Sequence, residues 1–169
     1  LDLAAAHGLK AVFELNHKSA QIARDAVAKF ASHPALLMWY GLDEPAEGSY
    51  SMAGALRDAY HTSDGQHPVY SVSCRPDIFA EQAELADVFA HDPYGKPQQV
   101  AEWMTRAVAA VQGRKPVFCV LGCFGQERAD ELRSAAYLAL AHDARGILWY
   151  PWHQMGGGPL GVGLKNSPT

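Results

Sequence analysis

Short apolar runs alternate along this chain with segments whose apolar residues recur every third or fourth position. LKAVFELN (9–16) reads as a strand, and SAQIARDAVAKFASH follows with Ser19 as an N-cap and Ile22, Ala26, Val27 and Phe30 on one helical face. Pro34 ends that helix. ALLMWYGL (35–42) is continuously apolar, the pattern of a strand covered on both faces, and a helix over 50–60 stops at Asp64-Gly65. HPVYSVS (67–73) is the next strand, and a short helical piece over 78–85 leads to ADVFAHDPYG (86–95). Val100, Trp103, Met104, Ala107, Val108 and Val111 then match the helical template best of all, and Gly113 closes that helix. KPVFCVLGCFG (115–125), a helix over 129–144 and RGILWYPWH (145–153) complete the pattern before a glycine-rich tail.

A strict β-α alternation predicts a parallel sheet with right-handed helical crossovers, either an open doubly wound sheet or a closed (β/α)8 barrel. The strand starts, near 9, 35, 67, 86, 115 and 145, are 19 to 32 residues apart, against roughly 31 per unit in a barrel. No GxGxxG follows the first strand, so a dinucleotide-binding open sheet has no support. The expected fold class is α/β, a (β/α)8 TIM barrel with six of its eight units present. Residues 1–169 are expected to form a single barrel domain truncated at both ends, since LDLAAAHG at the start reads as the end of a helix.

Composition narrows the partners. The net charge is −4, with Lys+Arg 14 against Asp+Glu 18 and no basic cluster, which argues against nucleic acid. No apolar stretch approaches the ~20 residues of a membrane span. Three cysteines, Cys74, Cys119 and Cys123, do not make a disulfide framework and fix no compartment. Cys119 and Cys123 sit four residues apart in a strand, roughly 13 Å at 3.3 Å per residue, too far to share one metal. Neither a metal nor a cofactor is expected.

In a barrel the chemistry lies at the C-terminal ends of the strands. Those positions hold Asn16 and His17, then Asp43 and Glu44, then Ser73, Cys74 and Arg75, then His91 and Asp92 with Tyr94. They continue with Cys123, Gln126 and Glu127, and finish with Trp149, Trp152 and His153. Aromatic faces stack on the C–H faces of sugar rings, while carboxylates and amides bind hydroxyls and move protons, so the set suits a carbohydrate. A polar residue at one strand end is ordinary; the joint occurrence carries the reading. Gly156, Gly157 and Gly158 could form a phosphate loop, but without a following helix they read as a flexible segment.

HPALLMWYGLDEP resembles the fourth-strand region of the clan of (β/α)8 glycoside hydrolases, in which a strand ending in Asn-Glu-Pro presents the general acid/base. KPVFCVLGCFG resembles the seventh strand of that clan and RGILWYPW the eighth. The resemblance implies Glu44 as the acid/base, Asp43 where the clan has a substrate-binding Asn, and Trp149 or Trp152 at a sugar subsite. It also implies a nucleophilic Glu where this chain has Cys123 before Phe124-Gly125. The substitutes for that missing carboxyl are Glu127, Asp92 and Asp43.

Two readings follow. The first is a glycosidase using Glu44 as proton donor, and the second is a carbohydrate-binding barrel that has lost catalysis. A barrel acting on phosphorylated metabolites, with phosphate near Gly156–Gly158, is a third.

Overall fold

A computed structural model describes residues 1–15, 18–124 and 127–151. Asn16, His17, Gln126, Trp152, His153 and the glycine-rich tail lie outside the described residues. Six strands, β1 (Ala11–Phe13), β2 (Leu36–Asp43), β3 (Val69–Ser73), β4 (Val88–His91), β5 (Val117–Gly122) and β6 (Gly146–Tyr150), follow one another in the sheet in chain order. The β1-β2, β2-β3 and β5-β6 pairs are parallel. Helices α1 (Asp2–Ala6), α2 (Ala20–Phe30), α3 (Tyr50–Ser63), α4 (Phe79–Ala83), α5 (Pro97–Val111) and α6 (Ala129–Ala141) alternate with them. This is an incomplete (β/α) barrel fold.

The chain divides into two compact units, Leu1–Ser73 with Ala80–Phe89, and Cys74–Phe79 with the described residues from Ala90 onward. In the first unit Ser19 caps α2 as its spacing predicts, its hydroxyl accepting from the N–H of Ile22 at 3.2 Å. The buried face of α2 is Ala23, Ala26 and Val27; Ile22, placed on that face by periodicity, is exposed. Trp39 is the centre of this unit's core. Its indole stacks on Tyr60 of α3 with centroids 5.0 Å apart and meets the edge of Phe13 at 6.0 Å, and truncating so buried an aromatic costs about 3–5 kcal/mol.

Strand β2 departs from simple alternation. Its pairing slips once against β1, where Ala11 and Val12 face Leu36 and Met38, and once against β3, where Tyr40 and Asp43 face Tyr70 and Val72. Each slip inserts one residue and turns the following side chains to the opposite face. Leu36, Trp39 and Leu42, three apart, therefore all reach the core beneath the helices, and Leu37 is left exposed. The continuous apolar run predicted a strand covered on both faces, and the adjacent Met38 and Trp39 are both buried; the bulges decide which residue takes which face.

The second unit is built on α5, whose Val100, Met104, Ala107 and Val111 are buried as the periodicity requires, and which ends in left-handed Gln112 and Gly113. No described helix is long and apolar enough to cross a membrane.

Candidate active site

Asp43 and Glu44 leave the C-terminal end of β2 exposed, and the local sequence explains how. Gly41 has no side chain because Ser71 fills the space; a Cβ there would lie 2.4 Å from the Ser71 Oγ and 3.2 Å from the Tyr70 carbonyl oxygen. That hydroxyl accepts from the N–H of Leu42 at 3.2 Å, satisfying an amide the bulge takes out of the ladder. With the extra residue accommodated, Asp43 comes to the same face as Tyr40, whose hydroxyl donates to its Oδ1 at 2.8 Å. Burial first, and then the Asp43 carboxylate, hold the Tyr40 hydroxyl protonated well above the usual tyrosine range. The Tyr40 ring also lies 5.0 Å from the Lys18 ammonium, which pairs with Glu14 at 2.9 Å.

Glu44 has φ +42°, a left-handed backbone conformation that costs a residue with a Cβ roughly 1–2 kcal/mol. Its N–H donates to the Val72 carbonyl at 3.0 Å. Behind it Pro45 is buried and accepts from Gln82 Nε2 at 2.7 Å, and Gln82 in turn accepts from the Ser73 hydroxyl. The loop carrying Glu44 is thus fastened to β3 and α4 from below while its carboxyl stays in solvent. Strain held in this way gathers where a side chain must be aimed.

In the second unit, His91 and Asp92 at the end of β4 are buried, although their position at a strand end predicted substrate-facing groups. His91 is ringed by Phe79 and Trp103, with Nε2 at 3.0 Å from Met104 Sδ, and burial pushes its imidazole down to about 3. The Cys119 thiol is pushed up to about 12, by burial and then by the neighbouring Asp92 carboxylate. Cys123 is likewise buried, its N–H donating to Tyr150 O at 2.7 Å.

Glu127 is held locally, Oε2 accepting from the N–H of Phe124 at 2.9 Å. It borders a cavity of about 280 Å³ with Tyr94, Lys96, Gly122, Phe124 and Glu131. Trp149 turns the other way and lines a groove with Leu132, Tyr137 and Leu140 of α6. The β6 aromatic beside Tyr94 is Tyr150, stacked at 6.1 Å, a residue the sequence did not single out. Among the described residues no group of three His, Cys, Asp or Glu side chains could hold a metal ion.

No protein-family model and no curated protein matches the chain. Solved structures do match its fold. A β-glucuronidase of an uncultured Clostridium species is 14% identical with a TM-score of 0.67, over 97% of this chain and 36% of that one. The GH2 β-galacturonidase of Eisenbergiella tayi is 15% identical with a TM-score of 0.69, over 88% of this chain and 34% of that one. A truncated 3-deoxy-D-arabino-heptulosonate 7-phosphate synthase of Thermotoga maritima is 16% identical with a TM-score of 0.64, over 89% and 54%. The chain therefore spans between 34% and 54% of the length of these structures, and shares its fold with glycoside hydrolases and with a synthase alike.

Proposed function

We infer that the chain belongs to a glycoside hydrolase that cleaves O-glycosidic bonds of a carbohydrate, with Glu44 as proton donor. The observation that carries this reading is the presentation of Glu44: a strained, exposed carboxyl at a strand's C-terminal end, fastened from behind by Pro45, Gln82 and Ser73. Two of the fold's neighbours act on uronides by their names, which supports a sugar over a phosphorylated metabolite.

In this scheme the Glu44 carboxylic acid gives its proton to the glycosidic oxygen as the bond from that oxygen to the anomeric carbon breaks. The leaving sugar departs as an alcohol, and the anomeric carbon is completed by the oxygen of water. A second carboxyl must receive the water's proton or hold the anomeric carbon in between. Of the carboxyls the sequence offers in the second unit, Glu127 borders an open cavity whereas Asp92 is buried. Asp43, with Oδ1 engaged by Tyr40, offers Oδ2 to a sugar hydroxyl. Within the second unit, stacked Tyr94 and Tyr150 offer an aromatic surface of the kind the sequence suggested for Trp149 or Trp152.

Glu44→Gln tests the reading. Turnover of aryl glycosides should fall by about 10²–10⁴-fold while affinity for the sugar is kept. Sugar binding without turnover in the parent and the variant alike would identify a non-catalytic binding barrel and overturn it.

A further inference from the structure

The last residue of β5 is a glycine. A Cβ on Gly122 would meet the Phe124 ring at 2.7 Å and the Tyr94 ring at 3.1 Å. Its absence lets those two rings meet edge to face with centroids 5.1 Å apart, at the mouth of the 280 Å³ cavity. Small-molecule sites run from about 300 to 1,000 Å³, so this volume suits one ring and not a drug-sized molecule. The cavity carries one ammonium, Lys96, and two carboxylates, Glu127 and Glu131. Neither carboxylate is loose: Glu127 accepts from the N–H of Phe124 at 2.9 Å and Glu131 from the N–H of Arg128 at 3.1 Å.

Aromatic faces beside fixed hydrogen-bond acceptors match a pyranose, whose C–H face is apolar and whose hydroxyls donate. The sign of the charge then discriminates among pyranoses. A ring bearing a carboxylate would meet two like charges against one opposite, whereas a neutral ring is accepted and a ring bearing an ammonium is favoured by the same carboxylates and by the π-faces. We propose that this cavity binds a single pyranose that is neutral or ammonium-bearing, and excludes uronates. The proposal rests on the reading of the chain as sugar-handling, yet it departs from the uronide specificity that two fold neighbours carry in their names.

The test is calorimetric titration of the full chain with glucose, glucosamine and glucuronate. Glucose and glucosamine should bind in the millimolar range, and glucuronate at least about tenfold more weakly. Glu131→Lys, which changes the cavity's charge from one net negative to one net positive, should reverse that order, and Ala135→Phe, which fills the cavity from α6, should remove binding of all three. No saturable binding by any of the three, glucuronate binding as tightly as glucose, or an order unchanged in a folded Glu131→Lys protein would each overturn the proposal. Its fate is separable from that of the hydrolase: sugar bound here by a protein that turns over no glycoside leaves this site standing and removes the catalytic reading. Turnover lost in Glu44→Gln with no monosaccharide bound does the reverse.

Discussion

The first unit carries carboxylates at both ends of its strands, and the two ends treat them in opposite ways. Before β3, Asp64 is buried and accepts from the Trp39 indole at 2.8 Å, from the N–H of Gln66 and of His67, and lies 2.8 Å from His67 Nδ1. Burial opposes its ionisation, but the hydrogen bonds outweigh it and hold the carboxyl below the usual aspartate range. Before β4, Asp87 is held in the same way by Val69, His61 and Arg57, again against burial. After β2, Asp43 takes one hydrogen bond from Tyr40 while it and Glu44 stand in solvent. Carboxylates whose oxygens are all engaged hold the fold; those kept ready at an energetic cost suit chemistry.

The largest effect that would break this comparison is on stability. Asp64→Ala leaves the donors of Trp39, Gln66 and His67 without their acceptor and should lower stability by about 3 kcal/mol, read as a shift in urea midpoint at constant slope. Glu44→Ala should cost nothing measurable, and equal losses at the two positions would erase the distinction.

Acid sharpens it further. His91 binds no proton in the folded chain until about pH 3 but does so near 6.5 when unfolded, so the unfolded state holds more protons across that window. Stability should therefore rise with pH from about 3 to 6.5 with a slope of up to about 1.4 kcal/mol per unit, and level off above. His91→Leu should flatten that stretch. The depressed carboxyls of Asp64 and Asp87 contribute stability that is present above the unfolded aspartate value and lost only below it, so the loss below about pH 4 should survive in the His91→Leu protein.

The smallest effect has the opposite sign. Glu44→Gly relieves the left-handed strain and, after the flexibility glycine adds to the unfolded chain, should raise stability by about 0.5–1 kcal/mol while removing turnover. A loss of stability would show that the Glu44 side chain serves the fold after all.

The sequence by itself determined the order and type of the six strands and six α-helices among the described residues, the Ser19 cap, the buried face of α5 and the position of Glu44 at a strand's end. These depend on neighbours three or four residues away, or on a proline or glycine in place, and such signals are local. Tertiary structure decided which way side chains point. The phase of β2 depends on its pairing with β1 and β3, and on a hydroxyl 29 residues from the amide it satisfies. Likewise RGILWYPW contains no polar alternation to fix its phase, so only its register against β5, with Leu121 beside Trp149 and Gly122 beside Tyr150, sent the indole toward α6 and the phenol toward Tyr94. His91 and Asp92 read as rim residues for a similar reason: nothing adjacent in the chain announces that Phe79, Trp103 and Met104 close over the imidazole.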